Sequence, residues 1–191
     1  MFGTQGHVVE EKTSVSAFLK PGIHEVKIAN IEYLESRGGT PGVKLTFEGA
    51  PNPAGFVHPT GNYAGSTAET TYWLSPKAWN FTKDRLIIMA DKLGVREALD
   101  AVNGSSAEEY VNGISPIFIG KSARFKFAGK EIEGKDDKPN WFKAELAGFG
   151  FVEALSTSPS TLKFDETNEW DMRRLPAAVV EDTTGSDEAP W

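Results

Sequence analysis

The sequence predicts a mainly β domain: a five-stranded barrel with one helix between its third and fourth strands, followed by an extended acidic tail. Three observations carry that expectation. Runs of alternating apolar and polar residues recur between glycine- and proline-rich turns. One longer stretch with helical spacing interrupts them after the third run. The composition of the 191-residue chain, 39% hydrophobic and 11% aromatic, supplies a single sizeable core. The boundary falls near residue 155, giving a domain over 1–155 and a flexible tail over 156–191.

Pro21-Gly22 opens the first strand, Ile23–Tyr33, which ends in the turn material Ser36-Arg37-Gly38-Gly39-Thr40-Pro41-Gly42. Val43, Leu45 and Phe47 alternate with Lys44, Thr46 and Glu48 in a second, half-buried strand that stops at Gly49-Ala50-Pro51. Residues 51–67, rich in proline and glycine, read as a long loop of the kind that is usually functional or disordered. Glu69–Leu74 gives a third strand containing Tyr72 and Trp73.

Ser75-Pro76 offers a cap and a first-turn proline for a helix over Ala78–Leu93, which Gly94 ends. A short second helix is expected over about 106–111, capped by Ser105 or Ser106 with Glu108 and Glu109 in its first turn. Lys121–Gly129 and Asn140–Phe151 alternate again around a polar hairpin tip, Glu133–Pro139. The order strand, strand, strand, helix, strand, strand is that of an oligonucleotide/oligosaccharide-binding (OB) barrel.

Successive side chains of a strand face opposite ways, so the core residues also identify the outer wall. With Phe125 and Phe127 inside, Arg124 and Lys126 point out; with Val43, Leu45 and Phe47 inside, Lys44 points out. Phe142, Ala144 and Leu146 inside leave Trp141 and Lys143 outside, and Tyr72 and Leu74 inside leave Trp73 outside. Aromatics beside cations suit unpaired nucleic acid, because rings stack on bases of any sequence while Lys and Arg follow the phosphates. The candidates for phosphate contact are Lys27, Arg37, Lys44, Arg124, Lys126 and Lys143; for stacking they are Tyr33, Trp73 and Trp141, with Tyr63 in the long loop behind them.

The formal charge of −7 is unevenly spread. From Asp165 onward, Asp165, Glu166, Glu169, Asp171, Glu181, Asp182, Asp187 and Glu188 face only Arg173 and Arg174, which leaves the body near neutral. Lys121, Arg124, Lys126, Lys130, Lys135, Lys138 and Lys143 make the fourth and fifth strands locally basic. Opposite charge in two parts of one chain points to a nucleic-acid surface with a tethered competitor. The chain closes on Asp187-Glu188-Ala189-Pro190-Trp191, a solvated acidic tip ending in a ring, which reads as a peptide to be bound.

In its order of elements, its basic and aromatic fourth and fifth strands, and this tip, the chain resembles bacteriophage single-stranded-DNA-binding proteins. The resemblance implies an OB fold, sequence-tolerant coating of unpaired DNA in replication and recombination without catalysis, and no cofactor. It also implies that Asp187, Glu188, Pro190 and Trp191 recruit replication or recombination proteins. We further expect the tail to imitate phosphates and a base, and so to compete with DNA.

Other classes fit less well. The absence of cysteine removes disulfides, thiolate metal sites and a cysteine nucleophile, and fits a reducing cytoplasm. His7, His24 and His58 are scattered, and no signal-peptide pattern or run of about 18 apolar residues is present. The chain is therefore expected to act in the cytoplasm, that of the host if viral, and away from membranes. Asp84, Asp91 and Glu97, or Asp136 and Asp137, could serve a magnesium nuclease, but helical spacing and a turn explain them as solvated surface, with no adjacent base or nucleophile. A protein-interaction or virion accessory barrel is the other alternative. No heptad or stripe encodes an oligomeric state, and a homodimer is left open.

Overall fold

The computed structural model describes residues 18–49, 65–135 and 139–175. Among them the elements run β1 (Gly22–Glu35), β2 (Pro41–Gly49), β3 (Thr67–Trp73), α1 (Trp79–Leu93), α2 (Arg96–Asp100), α3 (Ala107–Phe118), β4 (Ser122–Ile132), β5 (Trp141–Leu146), β6 (Val152–Glu153) and β7 (Met172–Arg173). One sheet follows the antiparallel path β3-β2-β1-β4-β5, with β6 antiparallel and β7 parallel to β4. The protein is thus mainly β, as the alternation predicts. The path is open: no ladder joins β3 to β5, and their edges meet where the Leu146 amide donates to Thr70 Oγ1 at 2.8 Å in a buried bond.

β1 is long because it serves two partners. Gly22–Lys27 pairs with β4, Val26–Glu35 pairs with β2, and an irregularity between Ile28 and Asn30 adjusts the register where the strand passes between them. The expected sidedness of the core holds. Val43, Leu45, Phe47, Phe125 and Phe127 are fully buried, and the Phe47 ring lies 5.0 Å from Phe125 and 5.3 Å from Phe127. Phe142 departs from it, being only partly buried, with the Arg174 guanidinium 5.8 Å from its ring centre.

α1 begins later than its proline suggests. Ser75 Oγ accepts from the Ala78 amide and Ser75 O from the Trp79 amide, so the Ser-Pro pair builds a turn that leads into the helix. Gly94, at φ 68°, ends it in the left-handed conformation that glycine adopts without penalty. The second helix is longer than expected. Ser106 caps it by accepting from the Glu109 amide, but it runs on through Gly113 and Pro116 to Phe118, because Val111, Ile114 and Phe118 share one buried face. Gly113 permits the crossing: a Cβ there would lie 2.8 Å from Val102 Cγ1. The short α2 was not expected.

The segment after β5 does not leave the domain at residue 156. β6 pairs with Arg124 and Phe125, and residues 156–175 return along β4 as a strap. Arg124 donates to Glu25 Oε1 at 3.0 Å, Glu153 Oε1 at 3.3 Å and the carbonyls of Ser156 and Ser158 at 2.6 and 2.7 Å. Lys126 pairs with the buried Asp171 at 2.8 Å, and the Gly129 amide donates to Asp171 O. Gly129 must lack a side chain, since a Cβ would lie 2.6 Å from Met172 Sδ and 2.8 Å from Pro21 Cγ. Asp171, a carboxylate that composition assigns to a solvated tail, is here the acceptor for Lys126 of β4. Residues 176–191 lie outside the described residues.

Two outcomes follow from this packing. Phe47→Ala should cost about 3–5 kcal/mol of unfolding free energy, read by urea titration; a loss below about 1 kcal/mol would show that the three-ring cluster does not close the core. Glu153 accepts from Thr161 Oγ1 and the Thr161 amide, both at 2.7 Å, and these bonds, the side-chain one first, hold its carboxyl at about 2 against an ordinary 4.5. A depressed folded-state pKa contributes stability above 4.5 that is lost as pH falls toward 2. The Thr161 amide resonance should therefore titrate near pH 2, and this response should vanish in Glu153→Gln; an inflection near 4.5 would mean the strap is not anchored there.

Candidate nucleic-acid interface

The expected cations divide into two groups. Arg124 and Lys126 point outward, but their side chains are only 14% and 13% exposed under the strap, and their donors are taken by its carboxylates and carbonyls. Bonding to Glu25 first, then to Glu153, raises the Arg124 pKa. Lys27, Lys44 and Lys143 are also ion-paired, with Glu48 at 3.1 Å, with Glu32 at 2.7 Å and Glu69 at 3.4 Å, and with Glu145 at 3.3 Å, but on the surface. Exposed pairs of this kind are worth about 0–1 kcal/mol, so an incoming phosphate can replace the carboxylate at little cost. Arg37 is exposed in the turn between β1 and β2.

The expected aromatics divide as well. The Tyr33 hydroxyl donates to Glu35 at 2.6 Å, which pushes its pKa up to about 12 and engages it with a neighbouring carboxylate. Trp73 is 39% exposed on the outer face of β3, opposite Gly42, where a Cβ would lie 2.9 Å from the indole. A larger residue at 42 would displace the ring. Trp73 lines a hollow of about 320 Å³ with Ser36, Thr40, Ser75 and Lys77. Its carbonyl is fixed by Thr82 Oγ1, which donates to it at 2.8 Å and ties the end of β3 to α1.

Trp141, 46% exposed, lines a second hollow of about 310 Å³ along the seam between β3 and β5. Facing it are Phe18, 66% exposed, and the cations Lys20 and Lys143, with Thr67 and Glu69 of β3 on the floor. Phe18 is positioned by its neighbour: the Leu19 amide donates to Thr67 O at 2.9 Å, and Leu19 itself is buried. Sequence reasoning missed Phe18, Lys20 and Lys77. The Phe18-Leu19 pair just ahead of Pro21-Gly22 carried a signal, one out and one in, that starts the strand pattern earlier.

The two hollows lie along one strand. Thr67, Glu69, Thr71 and Trp73 alternate outward on β3, and Lys44 stands opposite Thr71 between the two hollows. At about 3.3 Å per residue the outer edge of β3 links them over roughly 20 Å. The structure thus brings Trp73, Lys44, Trp141 and Lys143 to one track and assigns Arg124 and Lys126 to the strap. Tyr63, Asp136, Asp137 and the tip Asp187, Glu188, Pro190 and Trp191 lie outside the described residues. Asp91 pairs with Arg96, and among the described residues no three carboxylates or imidazoles gather as a metal site. No helix among them is long and apolar enough to cross a membrane. Set against known proteins, the chain matches no protein-family model and no curated protein.

Proposed function

We propose that the chain is a sequence-tolerant single-stranded-DNA-binding protein of the bacteriophage type, whose strand runs along β3 from the Trp73 hollow to the Trp141 hollow. The observation that carries this reading is the second hollow, where the exposed ring of Trp141 stands beside Lys143 and the hollow is also lined by Phe18 and Lys20. Unpaired bases need open ring faces, and phosphates need cations that can let go of weak partners. Trp141 offers such a ring and Lys143, paired on the surface with Glu145, such a cation, and Lys44 supplies a cation midway.

The finer fold in this proposal is the OB barrel. The order β3-β2-β1-β4-β5, with α1 after β3, is the order in which such a barrel closes when β3 meets β5 side by side, and the Thr70–Leu146 bond supports that closure. The acidic tip then serves as the peptide through which replication or recombination proteins are recruited in the cytoplasm, and it competes with DNA for the exposed lysines. The ion pairs on Lys27, Lys44 and Lys143 show how carboxylates occupy such positions.

A non-catalytic protein-interaction barrel is favoured by a different observation: Phe149, between β5 and β6, and Trp170, in the strap, are 79% and 75% exposed. Oligonucleotide titrations separate the two. Phe18→Ala with Trp141→Ala should weaken binding of an unstructured oligonucleotide about ten- to hundredfold without unfolding, since stacking contributes about 1–3 kcal/mol per base. Lys143→Gln should lower the slope of log affinity against log salt by about 0.7, while Lys126→Gln should leave that slope unchanged. Full affinity in the double aromatic variant would reject the strand path and leave the interaction barrel.

A further inference from the structure

Arg85 is a buried cation for which the described residues provide no counter-charge. It projects from α1 into the domain with 4% of its surface exposed. Its guanidinium carbon lies 4.3 Å from the Phe151 ring centre, 4.9 Å from Phe81 and 6.0 Å from Tyr72. Such contacts attract the charge but accept no hydrogen bond as a carboxylate or carbonyl would, and the planar guanidinium carries five N–H donors. Nη1 is buried without a hydrogen-bond partner, and so is the Tyr72 hydroxyl in the same cluster.

Among the described residues no carboxylate compensates this charge; Tyr72 is the one group that favours it, and burial pushes the Arg85 pKa down. Burial also pushes the Tyr72 phenol up to about 12, so it stays protonated as a donor. Buried charges are ordinarily paired, and an unsatisfied buried donor signals an unfilled role. Cation–π contact offsets part of the cost but leaves Nη1 without an acceptor. The guanidinium is also reachable from one side: a Cβ on the half-buried Gly148 would have only Arg85 Nη2 within 4 Å, at 3.9 Å, and the adjacent Phe149 is exposed.

We propose that Arg85 and Tyr72 form a binding site for one phosphate group, entered past Gly148. The guanidinium edge supplies two parallel donors and the phenol a third from another direction, a set that suits a tetrahedral oxyanion better than a planar carboxylate. The Phe81 and Phe151 rings, 4.9 and 4.3 Å from the guanidinium carbon, hold the fork in place before the anion arrives. Tyr72 faces inward from β3 while Trp73 faces outward, so the proposal does not depend on strand binding along the outer track.

Inorganic phosphate is the probe, titrated into the full chain against chloride at constant ionic strength, with melting temperature and the Arg85 Nε–H resonance as readouts. The wild-type protein should melt several degrees higher in saturating phosphate, and the Arg85 resonance should move over the same concentration range. Arg85→Met, which keeps the stem and removes the fork, should lose the shift; Tyr72→Phe, which keeps the ring, should weaken it about tenfold. A wild-type protein that does not distinguish phosphate from chloride, or an Arg85 resonance that stays put, overturns the proposal even where Arg85→Met fails to fold. Competition between phosphate and an oligonucleotide at this resonance would identify a backbone phosphate as the occupant, and phosphate binding without competition a free phosphate; failure of the oligonucleotide to bind anywhere leaves the phosphate result standing.

Discussion

Strand β4 carries the tightest constraint in the fold. Over a few residues it must fill the core with one face, receive the strap on the other and hold ladders along both edges. Phe125 and Phe127 meet Phe47 inside, while Arg124 and Lys126, one position out of step, meet Glu153 and Asp171 outside. β1 and then β7 run along one edge, β6 and β5 along the other. Because side chains alternate strictly, a slip of one residue would bury two cations and expose two phenylalanines. The core and the strap therefore fix the same register from opposite faces. Gly129 is where they converge, and its missing side chain lets Met172 and Pro21 approach.

This arrangement divides the chain's positive charge by task. Arg124 and Lys126 are held among acceptors of the strap, where releasing Lys126 would strand the buried Asp171 carboxylate. Lys27, Lys44 and Lys143 bear weaker, solvated pairs. Arg85 has rings in place of acceptors. Identical residue types thus act as tether, exchangeable surface charge and buried orphan, and the difference lies in what the tertiary fold brings to each.

That division explains what the sequence could disclose. Strands β1 to β5 and their inner faces were legible because a period of two is a local property, visible in Val43-Lys44-Leu45-Thr46-Phe47 or Arg124-Phe125-Lys126-Phe127. The full length of α3 was not, since Gly113 and Pro116 weigh against a helix locally and only the burial of Ile114 and Phe118 outweighs them. The strap was invisible for a stronger reason. Acidic density signals solvation, and nothing near Asp171 in the chain announces Lys126, 45 positions away. Outward direction was therefore readable for Arg124 and Lys126, but availability was not. For Trp73 and Trp141 both were, because a ring on the outer face with no neighbour large enough to cover it stays partly open.

The seam between β3 and β5 gives those rings their setting. A regular ladder would hold the two strands about 4.8 Å apart and close the space between them. Here the Leu146 amide is satisfied by the Thr70 hydroxyl, a side chain interposed between the two backbones, so the strands meet without continuing into a ladder. The neighbouring part of β3 does not remain an open edge. Its Thr67 carbonyl is taken by Leu19, and that bond draws Phe18 alongside Trp141. An unpaired edge would invite association with another strand, so some cover is required. The described part of that cover, Phe18 and Leu19, places an exposed ring at the hollow. Width at the seam is set by a buried threonine hydroxyl where a main-chain carbonyl would otherwise stand.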